Sequence, residues 1–376
     1  MTDPALELQP EDALRRVRDG VRLLDVRGDG ERASGMAEGA VGVTLAQLLA
    51  DPARWLPDPG VETGLICASG VRTRNAVLRL RALGYAGVWS VAGGTRQWAQ
   101  AGLPMTEAQE SPGFLERYSR HLLLPNVGLT GQRRLRDARV ALIGAGGLGS
   151  PVALYLAAAG VGTLTLIDHD HVDRSNLQRQ VLHGEADIGR PKVDSARDRL
   201  QALNPDLRIE ERPLRLAAGN VESLLAGHDV VVDGSDNFST RYLANDACAR
   251  LHLPLVYGAV ERFRGQASVF WPGPDTPHGC YRCVFPQPPP PELAPNCAAA
   301  GVLGVLPGLV GMLQATETLK LLLGIGTPLL GTLLCVDALG MQFERIPLGR
   351  DPECPACGKG GAGNSYADLP EVCSAE

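Results

Sequence analysis

A cysteine opens the six-residue stretch CASGVR, residues 67–72, which lies between an apolar run and a helical pattern. A thiol placed where a strand ends and a helix begins gains acidity from the helix N-terminus, and the nearby cation of Arg72 adds to this effect. Backbone N–H groups of such a turn can converge on the sulfur and on an anion attached to it. These features suit a Cys67 that carries a persulfide, although an ordinary buried cysteine explains these six residues equally well.

A second candidate loop, GAGGLGS at residues 144–150, follows an apolar run and precedes another helical pattern. Its GxGxxG spacing allows a tight turn, a close approach of the backbone to a phosphate, and close packing of the helix on a sheet. Asp168 ends the next predicted strand, where a carboxylate can hold ribose hydroxyls. The pattern alone fits NAD, FAD and ATP equally. Its glycines are Gly144, Gly146, Gly147 and Gly149.

The residues that follow Asp168 are not typical of a dehydrogenase. The cations Arg179 and Lys192 come shortly after the ribose carboxylate, and together they would neutralise a triphosphate. Each cation alone would be taken as a solvated surface charge, whereas the ordered set favours phosphate binding. The polar residues of this segment, within SNLQRQ and GRPK, are Asn176, Arg179, Gln180 and Lys192.

The stretch DVVVDGSDN places Asp236 just beyond the C-terminal end of a predicted strand. In an open parallel sheet, ligands bind at that edge. A carboxylate beside phosphates at this position is a natural magnesium ligand. The segment therefore predicts a site for ATP with magnesium.

Four of the nine cysteines form two CxxC pairs, in CYRC and CPAC. Two such pairs can supply four thiolates to a tetrahedral zinc ion, and this interpretation is favoured over four free thiols. Because sulfur fills all four positions, the site would be closed and structural, and it would hold a C-terminal hairpin to the core. The predicted ligands are Cys280, Cys283, Cys354 and Cys357.

Cys297 follows the proline-rich stretch FPQPPPPELAPN and precedes an apolar pattern. A thiol on an exposed loop, at the start of a helix, could be acidic and accessible. An incidental cysteine near a helix cap remains the alternative. Cys248 and Cys335 lie in apolar runs and are expected to be inert core residues.

Strand and helix patterns alternate twice along the chain, which predicts two α/β units with parallel sheets. In the first unit, VRTRNAVLRLRALG predicts a helix with Ala76, Leu80 and Leu83 on one face. A Rossmann-like pattern begins at Ala138, after a segment that predicts a helical arm, and TLLCVDALGMQFERIPL predicts a hairpin. The predicted division is a first unit (1–106), a linker (107–115), a second unit with zinc (116–358) and a tail expected to be disordered (359–376).

The composition excludes several classes of protein. The chain has 376 residues, 21% of them charged, with a net charge of −6 and no long Lys/Arg block, so binding to nucleic acid is not expected. The N-terminus carries early acids without an apolar core, and the most apolar stretch, 298–313, is too short to span a bilayer. An odd number of cysteines without an export signal argues against a disulfide framework. These features predict a cytoplasmic protein with no membrane partner.

The first hundred residues resemble a rhodanese domain. LLDVRGDGERASGMAEGAVGV looks like the early segment of that family, CASGVR occupies the place of its catalytic loop, and VAGGTRQW looks like its closing segment. The resemblance implies that Cys67 accepts a sulfane sulfur and passes it on. One departure is GMAEGA, where the family usually has a Gly-His whose histidine is not catalytic.

Residues 114–350 resemble the MoeB/ThiF family of adenylyltransferases, which activate sulfur carrier proteins and are related to ubiquitin-activating enzymes. The similarity rests on RYSRHLLLPNVGLTGQRRL, on GAGGLGS through SNLQRQVLH, and on GRPKVDSA and DGSDN. It implies nucleotide contacts from the glycines and Asp168, magnesium at Asp236, and structural zinc. It also implies a homodimer in which Arg120 enters the neighbouring ATP site, and a part for Cys297 in sulfur transfer. The implied phosphate ligands are Asn176, Arg179 and Lys192.

The two resemblances lead to one hypothesis. ATP adenylates the C-terminal glycine of a ubiquitin-like carrier ending in Gly-Gly, and a persulfide on Cys67, loaded by a donor such as a cysteine desulfurase, yields a thiocarboxylate for a molybdopterin or thiamine type pathway. The alternative is an NAD(P)-dependent oxidoreductase with a regulatory rhodanese-like domain. It leaves the cysteine pairs unused, and also Arg179, Lys192 and Asp236. A non-catalytic scaffold is disfavoured because every nominated catalytic position is present.

Overall fold

The computed structural model describes residues 6–273, 276–289, 301–359 and 366. The chain divides into two compact units, one ending at Gln132 and the other beginning at Arg133. Cys297 and most of the predicted tail lie outside the described residues. Among the described helices, none combines the length and the apolar character needed to cross a membrane.

A parallel five-stranded sheet forms the centre of the first unit, with the strand order β1-β5-β4-β2-β3. Its strands β1 to β5 are Glu7–Leu8, Arg22–Asp25, Ala40–Gly42, Thr63–Ile66 and Val88–Val91. Helices α1 to α8 are Pro10–Arg18, Asp29–Arg32, Leu45–Ala50, Pro52–Trp55, Val71–Ala82, Gly94–Gln100, Pro112–Arg117 and Ser119–Leu122. Strands β4 and β5, two of the three interior strands, are buried along their full length, as is typical of parallel strands covered on both faces.

Helix α5 follows the apolar pattern of its sequence, with one exception. Ala76 and Leu80 are buried in the core beside β4, as predicted. Leu83, which was assigned to the same face, is 59% exposed. The prediction for Leu83 is wrong because the helix ends at Ala82, so Leu83 occupies the cap position and leaves the helical face.

The predicted helical arm after residue 113 is interrupted. The structure has α7 and α8, and then α9 at Gly128–Asp137, within which the first unit ends. Pro125 lies in the gap before α9, and a proline cannot donate the backbone hydrogen bond that a continuing helix requires.

The second unit contains a mixed sheet of eight strands, in the order β13-β12-β11-β10-β9-β6-β7-β8. Strands β6 to β13 are Arg139–Ile143, Thr163–Ile167, Arg208–Arg212, Val230–Asp233, Leu255–Glu261, Arg264–Phe270, Thr332–Asp337 and Gln342–Pro347. Helices α10 to α15 are Gly149–Ala159, Lys192–Leu203, Val221–Leu225, Phe238–Leu251, Tyr281–Val284 and Val305–Leu323. Two 3-10 turns, Arg174–Asn176 and Glu185–Asp187, precede α11.

The parallel half of this sheet positions the predicted nucleotide residues. Strands β8, β7, β6, β9 and β10 run parallel, so their C-terminal ends meet at one edge. Strands β10 to β13 continue the sheet in antiparallel fashion, and the predicted hairpin is β12 with β13. Apolar side chains of β6, β7 and α10 form the main core, against which α15 packs.

Candidate active sites

Cys67 follows β4 directly and is completely buried, at 0% exposure. Helix α5 begins four residues later, and Gly70 caps it with a φ of 81°. A side chain at Gly70 would be strained by this angle, and its Cβ would lie 2.9 Å from the backbone nitrogen of Gly93. The loop formed by residues 67–72 therefore needs a glycine at this position.

Hydroxyl and backbone groups surround the Cys67 sulfur. Thr73 Oγ1 lies 3.5 Å from Sγ, 3.0 Å from the Gly70 carbonyl oxygen and 2.8 Å from Ser90 Oγ, so its one hydroxyl proton can go either to the carbonyl or to the sulfur. Burial raises the pKa of the Cys67 thiol, but hydrogen bonds from the Thr73 hydroxyl and from the N–H groups of Thr73, Ser69 and Gly70 outweigh it. The pKa is therefore below its ordinary value, which favours the reactive thiolate.

Arg72, the predicted cation of this loop, is held by a residue that the spacing did not single out. Its guanidinium donates two hydrogen bonds to Glu31, at 2.9 and 2.6 Å. Burial raises the pKa of Glu31, but the hydrogen bonds from Arg72 and the Gly28 N–H, together with the charges of Arg72 and Arg27, leave it below its ordinary value. The buried pair of Arg27 with Asp25 holds this segment, because Arg27 also donates to the Glu31 carbonyl. The positive charge of Arg72 is therefore shared with a carboxylate.

The Gly-Gly pair of VAGG packs directly on the Cys67 loop. The N–H of Thr95 donates to the Cys67 carbonyl at 2.8 Å. A Cβ at Gly94 would lie 2.0 Å from that same carbonyl oxygen. The pair therefore closes the loop around the sulfur, and any larger residue at Gly94 would force the loop open.

A cavity of about 640 Å³ lies at the C-terminal edge of the parallel strands in the second unit. We call it the glycine-loop cavity. Most of the predicted nucleotide residues line it, namely Gly144, Gly146, Gly147, Asp168, Arg179, Gln180, Lys192 and Asp236. Gly149 has a different place, because a Cβ there would lie 1.9 Å from the Gly144 carbonyl oxygen, so this glycine allows α10 to begin beside the loop.

The glycine loop, residues 144–150, is tied to the end of β7. Gly144 has a φ of 87°, and a Cβ there would approach the carbonyl oxygen of Gly234 to 2.8 Å. The N–H of Ala145 donates to Asp168 Oδ2 at 2.7 Å, and the N–H of Asp170 donates to the other oxygen at 2.8 Å. Asp168 therefore fixes the loop while it lines the cavity.

Lys192 begins α11 and is nearly buried, with 7% of its side chain exposed. Its Nζ donates to Asp170 Oδ2 at 2.8 Å. Burial raises the pKa of the Asp170 carboxyl, but Lys192, helped by the charges of His169 and His171, leaves it below its ordinary value, which favours an ionic pair. Asp170 was not predicted, although the DHD pattern places a second carboxylate two residues after Asp168.

Aromatic residues form a further wall of the glycine-loop cavity. Arg241 is buried among them, stacks over Tyr257 at 5.3 Å, and donates to the Ser235 carbonyl at 3.0 Å. Its Nε lies 3.4 Å from the buried carboxylate of Asp233. The sequence did not indicate this wall, since its members come from separate elements: Tyr242, Tyr257, Tyr281 and Phe285.

The four predicted zinc ligands converge. Sulfur atoms of Cys280 and Cys354 lie 3.6 Å apart, and those of Cys283 and Cys357 lie 3.5 Å apart. All four atoms lie within 4.8 Å of one another. Tetrahedral zinc with ordinary Zn–S bonds requires sulfur atoms about 3.8 Å apart, so the cluster fits this ion. Hydrogen bonding with its neighbours in the cluster, first of all Cys280, lowers the pKa of the Cys283 thiol.

Comparison with known proteins decides the family. The ThiF family profile matches residues 118–356, and the profile of the rhodanese-like domain matches residues 9–101. The chain belongs to the ThiF family. The family assignment made from the sequence is therefore confirmed, as are the mixed α/β class and the N-terminal rhodanese-like domain.

Several relatives are similar to the ThiF-family part of the chain. The SAMP-activating enzyme E1 of Haloferax volcanii is 53% identical over 258 residues, which cover 69% of this chain and 94% of that protein. The sulfur carrier protein adenylyltransferase of Thermus thermophilus is 51% identical and is covered to 96%. The probable adenylyltransferase/sulfurtransferase MoeZ of Mycobacterium tuberculosis is 53% identical, but the match spans 61% of its length and 64% of this chain.

A solved structure agrees with the fold. The crystal structure of Escherichia coli MccB with MccA-N7isoASN superposes with a TM-score of 0.57 at 24% identity, over 65% of this chain and 75% of that one. At this identity the likeness shows the fold of the ThiF-family unit alone.

The remaining predicted residues have different positions. Asn176 is not among the described residues that line the cavity, and its Nδ2 donates to Ser175 Oγ at 3.2 Å. Arg120 is exposed on α8 of the first unit. Cys248 is buried and burial raises its pKa, as expected of an inert thiol, whereas Cys335 on β12 is only partly buried.

Proposed function

We propose that this protein uses ATP to adenylate the C-terminal glycine of a ubiquitin-like sulfur carrier, and that Cys67 then delivers sulfur to that carbon. The observation that carries the proposal is the glycine-loop cavity, which combines backbone donors, the carboxylates Asp168 and Asp236, and the cations Arg179 and Lys192 in one place. Relatives named as sulfur carrier protein adenylyltransferase and SAMP-activating enzyme support the carrier as substrate.

The first step forms the acyl-adenylate. A carboxylate oxygen of the carrier attacks the α-phosphorus, the bond to the β-phosphate breaks, and pyrophosphate leaves. Lys192 would exchange Asp170 for phosphate oxygens, and Arg179 would neutralise the departing charge. Asp236 would hold magnesium, which when bound supplies positive charge beside the phosphates. Asp168 would orient the ribose, so the glycine loop meets the phosphates in a fixed geometry.

The second step transfers sulfur. The outer sulfur of a Cys67 persulfide attacks the acyl carbon and AMP leaves, which joins the carrier to Cys67 through an acyl disulfide. A second thiol then attacks the Cys67 sulfur, so the carrier departs as a thiocarboxylate and Cys67 forms a disulfide with that thiol. An external dithiol must reduce this disulfide. We assign the second thiol to Cys297, which lies outside the described residues.

The proposal assigns a role to each part of the chain. Residues 1–106 act as the sulfurtransferase domain, 107–115 as a linker, and 116–358 as the adenylyltransferase domain stapled by zinc, before the tail at 359–376. Having both domains in one chain raises the local concentration of the sulfur donor. The partners are a Gly-Gly-ended carrier of the molybdopterin or thiamine type, a persulfide donor such as a cysteine desulfurase, and a second subunit whose ATP site receives Arg120.

The intact mass of a Gly-Gly-ended carrier tests this function. The carrier is incubated with the protein, magnesium-ATP, a sulfane-sulfur donor and reductant. We expect a thiocarboxylate with the native protein, and only adenylate or free acid with Cys67→Ala. Cys248→Ala, which removes a buried thiol elsewhere, is the matched control and should behave as native. An unchanged carrier without pyrophosphate release would contradict the proposal, and binding of NADH in place of ATP would favour the oxidoreductase.

A further inference from the structure

His183 is a buried titratable residue with no part in the chemistry above. Its exposure is 8%, and it is not among the described residues that line the glycine-loop cavity. Its Nε2 lies 3.0 Å from the carbonyl oxygen of Ala145, and its Nδ1 lies 2.9 Å from Ser195 Oγ. The ring thus connects the glycine loop to α11, the helix that begins with Lys192.

The partners of His183 define its tautomer. The Ala145 carbonyl can only accept, so Nε2 must carry a proton, and Nδ1 of a neutral ring accepts from the Ser195 hydroxyl. Burial and the positive charge of Lys192 lower the pKa of His183. The hydrogen bond to Ala145 and the negative charges of Asp168 and Asp187 raise it, but the net effect is a lower pKa. The net lowering favours the neutral ring with its proton on Nε2.

The two hydrogen bonds of His183 close a ring of interactions that joins the glycine loop, Asp168, Asp170 and α11. Ala145 is held on both sides, since its N–H donates to Asp168 and its carbonyl accepts from His183. Asp168 accepts from the Asp170 backbone, and Asp170 accepts from Lys192. Lys192 and Ser195 lie in the first turn of α11, and the hydroxyl of Ser195 contacts His183, which completes the ring. If Lys192 Nζ leaves Asp170 for a phosphate, His183 remains a side-chain link between α11 and the glycine loop, beside the backbone bond from the Lys192 N–H to the Asp170 carbonyl at 2.9 Å.

We infer that His183 is a positioning residue of the nucleotide site, which as the Nε2–H tautomer fixes the Ala145 peptide and keeps the glycine loop in register with the helix of Lys192. The inference rests on the proposed use of ATP by this cavity. His183 would then strengthen nucleotide binding without touching the nucleotide.

Three substitutions distinguish the contribution of each hydrogen bond from the contribution of the ring's packing. His183→Gln places an amide N–H near the position of Nε2 and keeps a donor for Ala145. His183→Asn reaches only the position of Nδ1 and keeps the contact with Ser195. His183→Phe keeps the ring shape without either bond. We expect the Kd for magnesium-ATP, measured by calorimetry, to rise about tenfold in the Phe and Asn variants and less than threefold in the Gln variant.

His228 supplies a matched control in the same unit. It is also buried, and it lies 3.0 Å from the Leu225 carbonyl and 2.7 Å from the Thr165 hydroxyl, but it precedes β9 and so lies away from the cavity edge. His228→Phe should lower the melting temperature without changing the Kd for ATP. In carrier-dependent pyrophosphate release, His183→Phe should raise the KM for ATP more than it lowers kcat.

Several outcomes would overturn the inference. Equal ATP affinity in the Gln and Phe variants, or native affinity in all three with only a lower melting temperature, would make His183 a packing residue. A nitrogen-15 NMR signature of the Nδ1–H tautomer at neutral pH would do the same. Native protein that binds ATP but modifies no carrier would count against the proposed function alone, since the His183 comparison is read from binding. Native protein that fails to bind magnesium-ATP would overturn both.

Discussion

The Cys67 loop and the glycine loop share a local plan and differ in their surroundings. Each follows a buried parallel strand, each uses a glycine at positive φ, with 81° at Gly70 and 87° at Gly144, and each leads into a helix. Around the first loop, Gly93 and Gly94 pack so closely that Cys67 has no exposure. Around the second, the neighbouring elements leave a cavity of about 640 Å³.

The two loops differ in the charges around them as well as in the space around them. Arg72, the cation of the Cys67 loop, shares its charge with Glu31, so the backbone and hydroxyl donors are the main support for the sulfur. The glycine-loop cavity has two cations beside its backbone donors, Arg179 and Lys192, of which Lys192 is paired with Asp170. A strand, a glycine turn and a helix make an anion cradle in both places. Under the proposed function, the surroundings of the cradle decide whether it takes one sulfur atom or a triphosphate.

Removing a cation from the cavity should have the largest effect, because it should slow the reaction at the glycine loop without changing the reaction at the Cys67 loop. Lys192→Ala is expected to slow carrier-dependent pyrophosphate release about 100-fold, because a preorganised charge at the phosphates is lost. Sulfur transfer from thiosulfate to a small thiol, which needs only Cys67, should stay at the native rate. Lys359→Ala, which removes an exposed lysine, is the control. Equal loss of both activities would mean that the two loops are not independent.

Loss of the four-sulfur site should affect the glycine-loop cavity through its aromatic wall. Tyr281 lies between two of the cysteines and lines the cavity, so the cluster holds this wall in place. Cys354→Ala or a strong chelator should destabilise the second unit by roughly 2–4 kcal/mol and release one zinc per chain. Calorimetry and metal analysis measure this, with Cys335→Ala as the control. Native stability without bound metal would contradict a structural zinc site.

The sequence was sufficient for the alternating strands and helices of both units, but not for the interrupted helical arm, and it was sufficient for residues within short motifs. GxGxxG, the paired CxxC motifs and CASGVR each lie within one or two local segments; the structure places the two loops directly after strands and brings the four cysteines together. Glu31, Ser90 and His183 were missed because their contacts join segments far apart in the chain. Asn176 was included as part of SNLQRQ, but its side chain is not among those described at the cavity. Side-chain partners of this kind depend on tertiary packing, which local pattern does not contain.

Thr73 tests how far hydroxyl groups support the sulfur. Thr73→Val keeps the shape of the residue but removes its hydrogen bond to Cys67, so the pKa of Cys67 should rise toward that of an ordinary thiol. Less thiolate is then present at neutral pH, and sulfur transfer there should fall about threefold to tenfold and recover as the pH is raised. The Cβ chemical shift of labelled Cys67 across pH measures the change. Ser90→Ala, one hydroxyl further away, should have a smaller effect, and an unchanged titration in both variants would assign the support to the backbone alone.

Glu31 offers the mildest and most specific change, since it would make the Cys67 loop more like the glycine loop. Glu31→Gln keeps the size of the side chain and removes the negative charge that Arg72 now faces at 2.6 Å. The freed cation should attract a dianionic donor, so the KM for thiosulfate should fall about threefold at low salt and return toward the native value as salt screens the charge. Glu62→Gln, which breaks the exposed pair with Arg16 in the same unit, is the control. A KM that rises, or one that falls without salt dependence, would mean that Glu31 orders the loop and does not tune its charge.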